Sequence, residues 1–207
     1  MNLIFSLIIR TIIKIPYFKF ITETSDHQCR ITFKMWFIQK VLSFEENKNA
    51  YWPIHHTCLV SCPQNILAGI DTNPGFMPGY YIQAIGKIYI GDYTQIGPNV
   101  TIISANHNLY DTRKHKPTYV KIGKYCWIGA GAKIMPGVTL GDFTIVGAGA
   151  VVTKSVEDGY CVIVGNTAKC IKHLDKSKCI NFRYKTPYNG YIKHTLLDAY
   201  RKINLNV

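Results

Sequence analysis

A six-residue period runs from Ile54 to Lys169 and constrains the fold more than any other feature of the sequence. The first place of each six is aliphatic, the second is usually glycine, and the fifth is usually small or β-branched. Of the 17 sixes in this region, 13 begin with Ile, Leu or Val. The clearest of them read IGDYTQ, IGPNVT, IGKYCW, IGAGAK, IMPGVT, LGDFTI and VGAGAV.

This period matches neither an amphipathic helix, which has apolar steps of three and four residues, nor a long alternating strand. It matches a short strand followed by a sharp turn, and three such strands make one triangular coil of about 18 residues. The sequence therefore predicts an all-β fold, a parallel β-helix over residues 51–172. Three first places, Thr72, Pro78 and Ala84, match the repeat only weakly because they are not Ile, Leu or Val. Continuing the repeat forward predicts that Asp158 and Val164 also point into the interior of the β-helix.

The flanks read differently from the repeats. Residues 1–50 form an N-terminal extension that is partly helical, apolar and cationic, and residues 173–207 form a C-terminal extension. Apolar spacing predicts helices over residues 30–44 and 192–203. Both should pack on the β-helix or cap its ends.

The repeat frame breaks once, between His107 and Ile122, where residues 108–121 fit no six. A polar insertion of that length in a regular solenoid predicts a protruding loop, and such loops often carry function. His107 is the last residue before the loop, and an imidazole that titrates near neutral pH is suited to act as a general base. A surface histidine at a turn explains the same residue, so both interpretations stay open.

The net charge of +12 lies almost entirely in residues 108–207, which hold 16 Lys/Arg against 6 Asp/Glu. Such a region attracts polyanions, including nucleic acid, anionic lipid and phosphorylated cofactors. No nucleic-acid-binding motif accompanies the charge, so we do not expect nucleic acid as a partner. The seven cysteines are odd in number and lack a compact pairing pattern, which favours the reducing cytoplasm.

The apolar segment from Asn2 to Ile21 is interrupted by Arg10, Lys14 and Lys19, so it should not span a bilayer. It suits either peripheral contact with the inner face of an anionic membrane or packing on its own domain or a neighbouring subunit.

Several motifs occur together in a fixed order. They are Asn106-His107 before the loop, then Trp127-Ile128-Gly129-Ala130, Pro136-Gly137-Val138, the run from Val146 to Lys154, and Gly165-Asn166-Thr167-Ala168-Lys169. Over residues 52 to 172 the chain thereby resembles the hexapeptide-repeat acyltransferases, which are left-handed β-helices. Within that family it looks most similar to bacterial capsule and surface-polysaccharide sugar O-acetyltransferases.

The resemblance implies direct transfer of an acetyl group from acetyl-CoA to a hydroxyl of a sugar or polysaccharide precursor, with His107 as general base. It also implies a homotrimer with active sites shared between subunits. The residues implied to contact CoA are Ala130, Ala148, Thr153, Lys154 and Lys172, and Tyr81, Gln83 and Trp127 are candidates for the acceptor site.

Three alternatives compete with this function. A metal enzyme of the γ-class carbonic anhydrase type needs three converging imidazoles, and the repeats from Ile122 to Lys169 contain no histidine, so no metal is expected. A non-catalytic scaffold leaves the loop and Thr153-Lys154 unexplained. An antibiotic O-acetyltransferase has the same repeats and differs only in its acceptor.

Overall fold

A computed structural model describes residues 15–43 and 46–207, and short strands are its main element. In chain order these are β1 Leu59–Ser61, β2 Ile66–Ala68, β3 Tyr81–Gln83, β4 Lys87–Ile90, β5 Gln95–Ile96, β6 Thr101–Ile103, β7 Ala105–His107, β8 His115–Pro117, β9 Tyr119–Ile122, β10 Trp127–Ile128, β11 Lys133–Ile134, β12 Thr139–Leu140, β13 Thr144–Val146, β14 Val151–Val152, β15 Cys161–Val164, β16 Lys169–His173, β17 Tyr188–Asn189 and β18 Ile192–Lys193.

Three sheets form the body of the protein. The first has the order β1-β3-β6-β11-β14, the second β2-β4-β9-β12, and the third β5-β10-β13-β15-β16. Neighbouring strands within these sheets run parallel, except that β15 and β16 are antiparallel. From β9 to β14 the chain enters the second, third and first sheets in turn, so it winds as a three-sided parallel β-helix.

The strand register confirms the six-residue period. Lys133 pairs with Val151, and Trp127 pairs with Ile145, so each partner lies three sixes further along the chain. First-place residues point inwards because they alternate with outward-facing neighbours along each short strand. The fully buried first-place residues include Ile66, Ile102, Ile128, Ile134, Leu140, Val146 and Val152. Burying each of these side chains contributes roughly 1.5–3 kcal/mol.

The forward continuation of the frame was wrong after Val152. Asp158 is exposed and Val164 is only half-buried, whereas Cys161 and Ile163 are buried. Thr144 pairs with Cys161, which lies a single place short of three full sixes, so this coil is slightly shorter than a regular one. Because side chains alternate faces along a strand, a shift by a single place exchanges the inner and outer positions.

The prediction that Pro78 occupies an inward-facing first place was also wrong, because this residue is exposed. Tyr80 is buried instead, and its hydroxyl donates to the carbonyl of Ile96 at 2.6 Å. The first coil is longer than the later ones, because Ile66 pairs with Ile88, which lies beyond three full sixes. The additional residues move the inward positions out of the six-residue frame.

The extensions are mainly short helices and turns packed on the β-helix, and the C-terminal extension reaches from Tyr160 in the last coil to Tyr51 near the first. The α-helices are α1 Phe20–Glu23, α2 Phe33–Phe37 and α3 Leu197–Asn204, the π-helix is Ile38–Leu42, and the 3-10 helices are Pro16–Phe18, Glu46–Asn49, Pro63–Asn65, Lys176–Lys178 and His194–Leu196. The helical residues 33–42 and 194–204 fall almost wholly within the ranges predicted from apolar spacing.

Buried Gln39 joins the extensions to the first coil. Its amide nitrogen donates to the carbonyls of Asn47 and Trp52, while its oxygen accepts from Ile54 N–H and from the Tyr191 hydroxyl. Both donors and both acceptor sites of this buried amide are therefore paired, which offsets the cost of its burial.

The segment expected to contact a membrane or a neighbouring subunit lies largely outside the described residues, which begin at Ile15. Within the described part of the chain, no helix has the length and apolar character needed to cross a bilayer.

Candidate functional site

A β-hairpin interrupts the coils at the place where the sequence predicts a loop. Its strands β7 and β8 are antiparallel, and His107 pairs directly with His115. The chain leaves the coil at Ser104 and returns at Thr118, whose N–H donates to the carbonyl of Ser104 at 2.8 Å. Buried Ser104 thus closes the base of the hairpin.

The inserted length is confirmed, but the predicted bounds 108–121 were wrong. Ile88 pairs with Val120, so the coil between them is longer than the three six-residue repeats of a regular coil. The number of additional residues equals the length of the predicted loop. However, Tyr119–Ile122 is a strand of the second sheet, with Val120 fully buried. The error arose because Val120 and Ile122 both face inwards on one strand, while the six-residue frame marked only the second of them. His107 therefore lies within the hairpin instead of before it.

Hydrogen bonds within the hairpin order its tip. The Asn108 side-chain oxygen accepts from the backbone N–H groups of Tyr110 and Asp111, and Asn108 N–H donates to the carbonyl of Lys114 at 2.7 Å. The Asp111 carboxylate accepts from Arg113 Nε at 2.9 Å. That guanidinium hydrogen bond favours the ionised carboxylate and lowers the pKa of Asp111.

His107 is exposed, and its ring is oriented by the hairpin. Its Nδ1 lies 2.6 Å from the carbonyl oxygen of Thr112. A carbonyl oxygen can only accept, so Nδ1 carries the proton of the neutral ring and Nε2 keeps its lone pair. The His115 ring is 4.5 Å away, centre to centre. The hairpin therefore presents an oriented imidazole whose Nε2 can take a proton from a hydroxyl.

Neither the Thr112 carbonyl nor the His115 ring was identified from the sequence. The contact of His107 with the Thr112 carbonyl depends on the path of the hairpin. Every residue has a backbone carbonyl, so the sequence does not indicate which one makes this contact. The pairing of His107 with His115 follows from the hairpin register, in which both lie equally far along the chain from Asp111 at the tip.

Replacing Asn108 by alanine should lower kcat roughly tenfold while the thermal midpoint changes little. The substitution removes the acceptor for two backbone N–H groups of an exposed tip, which loosens the path to Thr112 and so the orientation of His107. Steady-state kinetics and a thermal melt of the same sample measure both effects. Arg113→Ala, which keeps both backbone hydrogen bonds of Asn108, is the matched control and should show a smaller loss of kcat.

The residues implied to contact CoA lie on three parts of the surface. Ala130 and Ala148 are exposed at the corner that follows the third sheet, one coil above the other, where Gly149 N–H donates to the carbonyl of Ala130 at 2.8 Å. Thr153 and Lys154 are exposed just after β14, at the opposite edge of the first sheet. Lys172 lies on β16 of the third sheet, opposite Val162.

The acceptor-site candidates divide between two sheets. Tyr81 and Gln83 both point outwards from β3 in the first sheet. Gln83 is half-buried, and its side-chain oxygen has no hydrogen-bond partner among the described residues. Trp127 lies on β10 in the third sheet and is 59% exposed. One protomer therefore brings Tyr81 and Gln83 together and holds Trp127 on another face.

Across residues 15–43 and 46–207, no three His, Cys, Asp or Glu side chains are grouped so as to hold a metal ion. All seven cysteines are free thiols.

Comparison with known proteins identifies the repeats. A family model of bacterial transferase hexapeptides (six repeats) matches residues 119–154. Nodulation protein L of Rhizobium meliloti (strain 1021) is 44% identical over 59 residues, which are 27% of this chain and 32% of that protein. Galactoside O-acetyltransferase of Lactococcus lactis subsp. lactis (strain IL1403) is 41% identical over 57 residues, which are 26% of this chain and 28% of that protein.

Solved structures extend the similarity beyond the repeats. A maltose O-acetyltransferase from Clostridium difficile 630 has a TM-score of 0.55 at 25% identity, covering 76% of this chain and 89% of that chain. A galactoside acetyltransferase in complex with coenzyme A has a TM-score of 0.57 at 25% identity, covering 72% and 82% respectively. The match to the curated relatives spans about a third of their length. Residues 119–154 therefore match bacterial transferase hexapeptide repeats, and the coils of this chain are similar to those of the maltose O-acetyltransferase and the galactoside acetyltransferase.

Proposed function

We propose that this protein is an acetyl-CoA-dependent O-acetyltransferase whose acceptor is a hydroxyl of a sugar or surface-polysaccharide precursor. The observation that carries the proposal is the orientation of His107, whose Nδ1 is bound to the Thr112 carbonyl so that Nε2 keeps its lone pair. The relatives named as nodulation protein L and as galactoside and maltose O-acetyltransferases support the reaction class. A left-handed sense of winding belongs to the same proposal.

In the proposed reaction, His107 Nε2 removes the proton of the acceptor hydroxyl as its oxygen attacks the thioester carbonyl. The carbon–sulfur bond then breaks, and the imidazolium returns its proton to the CoA thiolate, so the enzyme ends unchanged. Nδ1 keeps its proton throughout, because the Thr112 carbonyl holds it. The imidazolium that forms is stabilised by the same short hydrogen bond.

Acetyl-CoA is proposed to lie along the surface that carries Ala130, Ala148, Thr153 and Lys154, with Lys172 near its phosphates. The two alanines are small and exposed at one corner, which lets an extended pantetheine approach the backbone. The galactoside acetyltransferase with similar coils is recorded in complex with coenzyme A.

We also propose a homotrimer in which neighbouring subunits share each active site. The hairpin tip supports contact with a second copy, because Leu109 and Tyr110 are 86% and 97% exposed. Apolar side chains this exposed on an ordered hairpin are typical of an interaction site. Shared sites would also bring His107 of one subunit to the faces that hold Trp127 and Lys172 in another. The seven free thiols suit the cytoplasm. For the N-terminal segment from Asn2 to Ile21, peripheral contact with a membrane surface and packing on its own domain or a neighbouring subunit are the two alternatives.

An acetylation assay tests the proposed function. Acetyl-CoA is offered with a panel of nucleotide sugars, oligosaccharides and antibiotics, and CoA release is followed as free thiol, corrected for the cysteines of the enzyme. Mass spectrometry of the acceptor should show one added acetyl group. If an antibiotic caused thiol release and none of the saccharides did, the acceptor would be an antibiotic and the proposed acceptor class would be wrong. If no acceptor raised release above hydrolysis and CoA caused no thermal shift, the scaffold interpretation would be correct.

Replacing Lys154 or Lys172 by alanine should raise the KM for acetyl-CoA about tenfold with a smaller change in kcat. Hydrogen bonds from a lysine to a phosphate are charge-assisted and contribute roughly 1.5–3 kcal/mol each. Lys178→Ala is a matched control, since that exposed lysine lies 3.7 Å from the carboxylate of Asp175 in the C-terminal extension. An unchanged KM in both variants would mean that the phosphates bind elsewhere.

A further inference from the structure

A groove lies on the outward face of the second sheet, beside the hairpin that carries His107. Its volume is about 420 Å³, within the range of roughly 300–1,000 Å³ that is typical of ligand sites. None of its residues is among the candidates for the base, the CoA contacts or the acceptor site. The lining includes Asn65 of the first coil, Lys87 and Tyr89 of β4, Pro117 of the hairpin, and Tyr119 and Lys121 of β9.

The strand register places two lysines and two tyrosines diagonally on this face. Lys87 of β4 pairs with Tyr119 of β9, and Tyr89 of β4 pairs with Lys121 of β9. The residues that alternate with them along both strands are buried, so these four side chains point outwards. Each ammonium group therefore has an aromatic side chain as its neighbour, and Lys121 Nζ lies 4.9 Å from the centre of the Tyr119 ring.

The two lysines of the groove lack a carboxylate partner. Neither Lys87 nor Lys121 forms an ion pair within residues 15–43 and 46–207, and none of the described Asp or Glu residues lines the groove. Lys124, just after β9, differs because its ammonium lies 2.9 Å from the Asp92 carboxylate. Two cations that face one groove repel each other, and an anion bound between them offsets that repulsion. The groove therefore favours a ligand with negative charge.

The tyrosines give the groove a surface that can contact a ring. Tyr119 is 43% exposed and Tyr89 is half-buried. Neither hydroxyl has a hydrogen-bond partner in the part of the chain that the structure describes, so both are available to a ligand. A tyrosine combines an apolar ring with a polar tip, which suits the apolar face and the edge hydroxyls of a sugar. A sugar that carries a carboxylate or a phosphate matches both the tyrosines and the lysines.

The hairpin register places the groove close to the candidate base. Pro117 lines the groove and pairs with Ala105, while His115, two residues earlier on β8, pairs with His107. Residues two apart lie on the same face of a strand and are roughly 7 Å apart along it. A saccharide of several units that reaches His107 can therefore also occupy the groove.

We propose that this groove is an accessory site for a negatively charged sugar unit of the acceptor, whose anionic group binds between Lys87 and Lys121 and whose ring contacts Tyr119. The hydroxyl that receives the acetyl group belongs to another unit of the same saccharide, held at His107. The inference rests on the proposed function and specifies that the acceptor is an acidic saccharide of more than one unit.

Titration calorimetry without acetyl-CoA tests the site directly. The probes for the full chain are tetragalacturonate, with the neutral maltotetraose as its counterpart, and glucose 6-phosphate, with glucose as its counterpart. At least one acidic probe should bind about tenfold more tightly than its neutral counterpart, and the probe that binds identifies the anion as carboxylate or phosphate. Raising the ionic strength to about 0.15 M should weaken that binding. Equal affinities for acidic and neutral probes, or no binding of any probe at millimolar concentration, would overturn the site.

Lysine substitutions test whether the charge of the groove is responsible. Lys87→Ala and Lys121→Ala should each weaken binding of the acidic probe about fivefold, and together about twentyfold. Lys176→Ala is a matched control that should bind as wild type does, since that exposed lysine also lies over a tyrosine, with Nζ 4.7 Å from the centre of the Tyr160 ring. Unchanged affinity in the double variant, or an equal loss in Lys176→Ala, would contradict the proposal.

Stability and assembly are measured on the same variants. Both lysines of the groove are exposed, so the thermal midpoint of the double variant and its oligomeric state by light scattering should equal those of wild type. A change of oligomeric state would assign the groove to a contact between copies of the chain and overturn the accessory site.

Kinetics distinguish failure of this inference from failure of the proposed function. With an acidic saccharide as acceptor, the double variant should have a higher KM for the acceptor and an unchanged KM for acetyl-CoA. Acetyl transfer with an unchanged acceptor KM would overturn the site and leave the enzyme activity intact. A rise in the KM for acetyl-CoA would assign the two lysines to the phosphates of CoA and overturn the inference. Binding of an acidic probe that depends on the lysines, in a protein that transfers no acetyl group, would overturn the function only.

Discussion

Replacing His107 by alanine should lower kcat about a thousandfold, with little change in the KM for acetyl-CoA. A positioned general base contributes roughly 10²- to 10⁴-fold to proton transfer, and His107 Nε2 is the basic nitrogen of the ring that the hairpin orients. The residue is exposed, so its removal leaves no cavity and the thermal midpoint should be unchanged. Initial rates of CoA release with a saturating acceptor measure the loss.

His115→Ala provides a matched control for that experiment. His115 is the same residue type on the same hairpin, directly opposite His107 and 4.5 Å from it between ring centres. We expect it to lower kcat less than tenfold, because it is His107 whose Nδ1 is fixed by a backbone carbonyl. Normal turnover in His107→Ala, or an equal loss in both variants, would contradict the assignment of the base to His107.

The regular part of the β-helix was predictable because its period is a local property of the chain. Ile122, Ile128, Ile134, Leu140 and Val146 follow one another at the six-residue period, and all are buried. Each of these places needs only an aliphatic side chain at the start of a short strand and a sharp turn after it. The three-sided winding follows, since stacking coils is the way such strands bury their inner faces.

The irregular parts were not predictable because contacts distant in sequence decide them. The segment 69–80 departs from the frame where the N-terminal extension packs on it, through hydrogen bonds from Gln28 and Cys29 N–H to the Asp71 carboxylate. Thr112 likewise orients His107 through its backbone carbonyl, whose position depends on the path of the folded hairpin and not on the Thr112 side chain. The hairpin, which is one of these irregular parts, holds the candidate base, so this functional detail lies where the period fails.

A column of stacked aromatic rings was also missed, although its members recur in the repeat. Tyr93, Tyr125, Phe143 and Tyr160 all have φ between 48° and 60°, a region that non-glycine residues seldom adopt. Their rings stack from coil to coil with centres 4.9–5.1 Å apart. Aromatic pairs of this kind contribute about 0.5–1.5 kcal/mol each, which offsets part of the conformational cost. Turn rules alone would have placed glycine or asparagine there.

Replacing Gly123 by alanine should lower the free energy of unfolding by about 3 kcal/mol. A Cβ on Gly123 would lie 2.6 Å from backbone atoms of Gly141 and Asp142 in the next coil and equally close to Asp142 Oδ1, and a side-chain rotation cannot relieve the two backbone contacts. The two coils would have to separate, and Gly123 N–H donates to the Leu140 carbonyl across the same contact at 2.8 Å. Thermal and urea unfolding measure the loss, and roughly 2–4 °C is expected per kcal/mol at this chain length.

Gly131→Ala separates the effect of crowding from the effect of backbone conformation. Gly131 has φ +67°, which costs alanine about 1–2 kcal/mol, but a Cβ there would meet none of the described atoms within 4 Å. Gly123 has the opposite character, since it lacks a positive φ and is crowded by backbone. If coil spacing sets the demand for glycine at the second place of the repeat, Gly123→Ala must unfold at a lower temperature than Gly131→Ala. The reverse order would contradict the explanation of the second-place glycines by the close approach of stacked coils.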